Sequence, residues 1–104
     1  ATKFGMNGLT QSLAKELGPS GIRVNAVCPV IVETDGLIEA LKSPSSPAYP
    51  NPDEFILNFK KSNAALGRLP SGEEIASMCL MLASESASAV TGQCINVDCG
   101  VFPQ

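Results

Sequence analysis

Histidine is absent from this chain, tyrosine occurs once, and none of its four cysteines forms a C-x-x-C pair. Those absences argue against structural zinc, which needs Cys/His ligands at close, regular spacing. No apolar run approaches the roughly 20 residues that span a bilayer. No charged segment followed by an apolar core and cleavage site stands at the start, so no secretory signal is visible. Basic charge is also scarce. Seven Lys and Arg against ten Asp and Glu leave a net charge of −3, with no basic stripe for nucleic acid or anionic lipid. The expectation is a cytoplasmic protein with neither a nucleic-acid nor a membrane partner.

What is present suits a folded α/β chain. Hydrophobic residues make up 44% and charged residues 16% of the 104, ordinary proportions for a globular domain. Cys28, Cys79, Cys94 and Cys99 read as small buried hydrophobes in a reducing compartment. A disulfide or a reactive thiol is the alternative.

Leu9, Leu13 and Leu17 recur every four residues, with Met6 nearby, so residues 2–17 are expected to form a helix with that apolar stripe. Gly18-Pro19 stops it. Residues 22–28 are apolar apart from Arg23 and Asn25, the pattern of a strand covered on both faces. The helix begins at once, with no cap before it. Residues 35–52 hold Gly36 and four prolines around a short Leu37–Leu41 apolar piece, and read as a lid or binding loop. Asn51-Pro52-Asp53-Glu54 is a helix start, with Asn as cap and Pro in the first position. Phe55, Ile56 and Phe59 form its apolar side. Ser71-Gly72-Glu73-Glu74 is a capping box opening a further helix with Ile75, Met78, Cys79 and Leu82 on one face. Residues 94–98 are a last short strand. The order is helix, strand, loop, helix, helix, strand.

Two parallel strands separated by helices leave sheet edges and apolar faces uncovered. This chain is therefore expected to be the C-terminal part of a larger α/β fold, incomplete on its own.

Four segments in order carry a family likeness. Ala1-Thr2-Lys3 with Gly8-Leu9-Thr10 and Leu13-Ala14-Lys15-Glu16-Leu17 looks like the helix of a Tyr-x-x-x-Lys pair. Residues 21–29 look like the strand and turn that follow it. Gly67-Arg68 with Glu73-Glu74-Ile75-Ala76 looks like the penultimate helix, and Thr91-Gly92-Gln93 with Val97-Asp98-Cys99-Gly100 like the terminal strand and its Asp-Gly-Gly ending. Over residues 1–100 the chain resembles the C-terminal portion of a short-chain dehydrogenase/reductase, nearest to 3-oxoacyl-carrier-protein reductase-like members.

That resemblance implies part of a doubly wound parallel-sheet Rossmann fold, an NAD or NADP cofactor, and an alcohol/carbonyl substrate. Lys3 becomes the catalytic lysine, and its tyrosine lies two residues before Ala1. A tyrosine four positions before a lysine shares its helix face, and the ammonium favours phenolate, bringing the phenol toward working pH. The lysine also meets the ribose hydroxyls. Pro29, Val30 and Val32 become the turn beside the nicotinamide, and Thr34 a contact to its carboxamide or to the phosphates. Val30 and Cys99 stand where the family has glycine. At Val30, either the turn takes a valine-compatible shape or cofactor binding changes. At Cys99 the change is expected to be mild, because Gly100 remains. Residues 35–63 correspond to the variable substrate region, with Leu37, Leu41, Phe55 and Phe59 as apolar anchors. Asn25 and Asp98 are expected to be structural, and Arg23 to form an ion pair. A homo-oligomer, dimer or tetramer, is implied through the first helix and last strand. The alternative reading is a non-catalytic fragment acting as an interaction module.

Overall fold

In the computed structural model, residues 2–32, 34–47 and 49–102 are described, except for the side chains of Thr2 and Lys3. The chain runs α1 (Thr2–Leu17), β1 (Ala26–Cys28), α2 (Asp35–Leu41), α3 (Pro52–Asn63), α4 (Gly72–Ala83) and β2 (Cys94–Asn96). Short 3-10 turns follow α1 and α4. The expected loop after β1 thus contains a helix, α2. Thr34 supplies the reason: its Oγ1 accepts a hydrogen bond from the backbone N–H of Leu37 at 3.1 Å, which satisfies a first-turn donor and lets a short helix start.

The two strands are parallel neighbours, with Ala26 opposite Cys94 and Cys28 opposite Asn96. Both are shorter than expected. Hydrogen bonding nonetheless extends beyond them, from Gly92 N–H to the Val24 carbonyl (2.7 Å) through to Val97 N–H on the Cys28 carbonyl (3.1 Å). Side chains extend the join. Asn25 donates to the Val90 carbonyl at 2.9 Å and accepts from Gln93 N–H at 3.1 Å, the structural role expected of it. Among the described residues Arg23 has no ion-pair partner. Its guanidinium donates to the carbonyls of Leu82 (2.6 Å), Val90 (3.3 Å) and Ser84 (3.4 Å), capping the C-terminal end of α4 where carbonyls lack intrahelical partners.

α1 corrects the expected stripe. Leu9 is 61% and Met6 48% exposed, whereas Thr10 and Ala14 are buried and Leu13 and Leu17 half-buried. Gly92 passes over Ala14: a Cβ built on the glycine would lie 3.4 Å from the Ala14 Cβ, at contact distance. α3 buries Ile56, with Phe55 and Phe59 half-buried. α4 buries Leu82 and leaves Cys79 exposed, so its expected face is narrower by one residue. None of the four cysteines is disulfide-bonded; Cys79 is exposed and the other three are half-buried.

The expected capping box is present: Ser71 Oγ accepts from Glu74 N–H (3.1 Å) and Glu74 accepts from Ser71 N–H (3.0 Å). Glu74 also takes a bidentate pair from Arg68 at 2.7 and 2.9 Å. These bonds, the Arg68 bond first, hold its carboxyl down at about 2. In the unfolded chain Glu74 binds a proton more readily than in the fold. Its contribution to stability is therefore intact above about pH 4.5 and lost as pH falls toward 2. Between those limits the urea midpoint of the protein is expected to fall further than that of a Glu74→Gln variant, and parallel curves would refute this.

After β2 the chain turns on Asp98, which is buried. Its carboxylate accepts from Gly100 N–H (3.0 Å) and Phe102 N–H (3.1 Å), as expected for a structural aspartate. Cys99 is not the mild replacement expected. It holds φ 54°, in the left-handed region, followed by Gly100 at φ 83°. A side chain there crowds its own carbonyl. Replacing Cys99 with Gly is expected to raise stability by about 0.5–1 kcal/mol, read as a higher denaturant midpoint at unchanged slope.

Candidate active site

Parallel pairing puts the C-terminal ends of β1 and β2 side by side, which is where ligands meet open α/β sheets. Residues 29–34 leave the first strand there and residues 97–102 leave the second. α1 reaches the same end by simple length. Its 16 residues span about 24 Å, it reverses through a tight turn, and it packs against β1. Residues 22–28 return over a comparable distance of about 23 Å. These matched lengths would bring the first turn of α1 back to the level at which Pro29 leaves the sheet. The Lys3 side chain itself lies outside the described residues.

Pro29 is exposed, while Val30, Ile31 and Val32 are half-buried; Glu33 lies outside the described residues. Among the described residues Cys99 is the one non-glycine with positive φ, so Val30 sits at negative φ. The first of the two expected outcomes therefore holds, and the turn has a shape valine can adopt. No hydrogen bond ties the backbone groups of Val30, Ile31 or Val32 to another described residue. Backbone groups without a partner in the fold take one from solvent or from a ligand. Thr34 is exposed, and its oxygen is already an acceptor for Leu37 N–H. Its hydroxyl hydrogen is left to donate to an acceptor such as a phosphate or carboxamide oxygen.

Leu37 and Leu41 lie half-buried on one face of α2, at helical i, i+4 spacing. Phe55 and Phe59 repeat that spacing on α3 and line a groove of about 240 Å³ with Asn58, Ser62 and Asn63. α2 and α3 do not pack extensively on one another or on the sheet, so the two apolar pairs remain on separate elements. A second cavity, about 450 Å³, opens beside β1 and is lined by Arg23, Asn25, Val27 and Cys79 among others. It offers little to an anion, because its arginine is already engaged by three carbonyls. Among the described residues no cluster of His, Cys, Asp and Glu could hold a metal ion. No helix among them is long and apolar enough to cross a membrane.

Two polar residues on α1 escaped the reading of the sequence. Thr10 is buried and donates to the Met6 carbonyl at 2.8 Å. Asn7 Oδ1 is buried with no hydrogen-bond partner among the described residues. The leucine spacing drew attention to the other side of the helix; the recurrence of polar residues at 3, 7 and 10 was the signal available.

Replacing Thr34 with Ala removes the cap of α2. We expect about 1 kcal/mol of local destabilisation, seen as faster amide exchange in residues 35–41. Unchanged exchange would show that something else holds the helix.

Comparison with known proteins agrees with this architecture. The family profile described as Enoyl-(Acyl carrier protein) reductase matches residues 1–102. A 3-oxoacyl-acyl-carrier-protein reductase of Aquifex aeolicus is 44% identical over 97% of this chain and 36% of its own length. A 3alpha-hydroxysteroid dehydrogenase of Mediterraneibacter gnavus is 45% identical over 94% of this chain and 34% of its own. In solved structures, a short-chain dehydrogenase family protein of Francisella tularensis superposes with TM-score 0.85 at 31% identity, covering 98% of this chain and 42% of the other. The ligand-free aldohexose dehydrogenase of Thermoplasma acidophilum gives 0.80 at 31% identity, over 95% and 38%. The chain spans little more than a third of the length of the curated relatives it matches. With its parallel β1–β2 pair, it is part of a Rossmann-type α/β fold, and it belongs to the short-chain dehydrogenase/reductase family.

Proposed function

We propose that residues 1–104 are the C-terminal portion of a single oxidoreductase domain, supplying the catalytic lysine, the cofactor-facing turn and the substrate region. The observation that carries this reading is the parallel β1–β2 join, which brings the segments after both strands to one end of the sheet, with α1 packed against β1. There the backbone groups of residues 30–32 have no partner among the described residues, and Thr34 Oγ1 accepts from Leu37 N–H.

In this reading the cofactor is NAD or NADP, and when bound it supplies or accepts the hydride. One solved relative is described as an NADPH-dependent reductase. Pro29, Val30 and Val32 hold the nicotinamide through backbone groups, and Thr34 donates to its carboxamide or to a phosphate. Lys3 holds the ribose hydroxyls and stabilises the phenolate form of a tyrosine one turn earlier on the same helix face. That phenol exchanges a proton with the oxygen of an alcohol/carbonyl substrate. Leu37, Leu41, Phe55 and Phe59, within the variable region 35–63, exclude water around it. Residues 1–104 on their own lack the proton donor and are inactive.

The enzyme works in the cytoplasm as a homo-oligomer. Phe4 is 82% and Leu80 74% exposed, apolar surface that suits burial against the remainder of the fold or a second copy. Those faces also favour the second reading, an interaction module without catalysis. Lys3→Met in the full-length protein separates the two. Loss of turnover by about 100-fold or more, with weaker cofactor binding, is expected for the enzyme. Unchanged kinetics would remove Lys3 from the site.

A further inference from the structure

α3 carries a groove without being held along its length. That groove, about 240 Å³, is lined by Phe55, Asn58, Phe59, Ser62 and Asn63, all on the one helix. Ile56 is the buried residue of α3, and among the described residues no other helix or strand packs extensively on it. Its N-terminal cap, Glu54 N–H on Asn51 Oδ1 at 3.2 Å, is local to the helix. The C-terminal end is different. Ala64, which follows the helix, is buried, and a turn closes there from Gly67 N–H to the Ala64 carbonyl at 2.9 Å. Leu66 N–H reaches out of that turn to the Cys99 carbonyl at 3.0 Å. Beside this bond the two segments nearly touch. A Cβ built on Gly100 would lie 2.5 Å from the Ala65 Cβ and 3.4 Å from the Ala65 nitrogen. Two carbons cannot keep the shorter distance.

We infer that Gly100 is a positioning residue: by admitting Ala65 against the turn after β2, it sets where α3 stands, and with it the groove of Phe55 and Phe59. This rests on the substrate role proposed above for those two side chains and adds a residue from outside their helix. Asp98 holds the turn itself, accepting from Gly100 N–H and Phe102 N–H. The junction therefore has a fixed side on the sheet and a carried side on α3. The left-handed pair of Cys99 and Gly100 serves it: one gives a carbonyl to Leu66, the other makes room for Ala65. From Asn63 back to Phe55 the helix runs about 12 Å, so a small displacement at the junction is carried to both rings.

The test uses the full-length protein with Gly100→Ala, Ala65→Gly, the two combined, Ala65→Val and Phe59→Ala. Amide exchange is one readout; kinetics with ethyl acetoacetate as the carbonyl probe is the other. Gly100→Ala is expected to speed exchange by about 10-fold or more in residues 55–67 and to leave residues 26–28 unchanged. KM for ethyl acetoacetate is expected to rise about 10-fold, with the cofactor KM unchanged. Adding Ala65→Gly removes the opposing carbon and is expected to return both readouts most of the way, although φ 83° still disfavours alanine at position 100. A glycine needed for that φ alone would show no such rescue. That result overturns the inference, as does faster exchange spread evenly over the chain. If Gly100→Ala does not fold, Ala65→Val decides, because it crowds the same contact and leaves position 100 alone. The same local change is then expected, and parental exchange overturns the inference. The exchange readout holds whether or not the probe is turned over. Failure of the underlying reading looks different: Phe59→Ala would leave KM for the probe unchanged, while Gly100→Ala still loosened α3.

Discussion

The parallel join between residues 24–28 and 92–97 is the constraint on which everything else in this chain depends. It is short, and two strands of three residues would be a weak unit by backbone bonding alone. Arg23 and Asn25 reinforce it from the side, by reaching the carbonyls and amide of residues 82–93. An arginine placed on helix-end carbonyls does two jobs together. It satisfies acceptors that a helix end leaves open, and it ties α4 to the strand that follows α1.

From that join comes the shape of the candidate site. Because the strands are parallel, both leave the sheet at one end, and the segments that follow them become neighbours without any direct pairing between them. α1 packs against β1, and helix and returning segment are of comparable length. Thr34 then turns the chain away into α2. Its oxygen starts that helix by accepting from Leu37 N–H. On the other side Asp98 folds the chain back through Cys99 and Gly100, at the expense of a cysteine in a left-handed conformation.

The features legible in the sequence share a physical property: each is decided within three or four residues. The starts of α3 and α4 were readable because Asn51 and Ser71 bond to amides three positions on. Gly18-Pro19 ended α1 where expected, through backbone preferences that need no neighbours. Thr34 belongs to the same class, yet the prolines of residues 44–52 hid the short helix it caps. For the site, motif order singled out Lys3, the turn from Pro29 to Val32 and Thr34, and the parallel join accounts for where residues 29–34 leave the sheet. Leu37, Leu41, Phe55 and Phe59 show only the local periodicity that drew attention to them.

By itself the sequence determined the number and order of the helices after residue 51, the two strand positions and the family to which the chain belongs. Only the tertiary structure decided which side of α1 is buried. Four-residue spacing describes a stripe but not what faces it, and here Ala14, beside Gly92, and Thr10 are buried while Leu9 stays outside. It decided likewise that Arg23 caps a helix 59 residues away, that Cys99 rather than Gly100 alone carries the awkward turn, and that an amide oxygen on Asn7 is shut away from water. Burial and hydrogen-bond satisfaction arise from contacts between distant parts of the chain, so no local pattern of residues contains them.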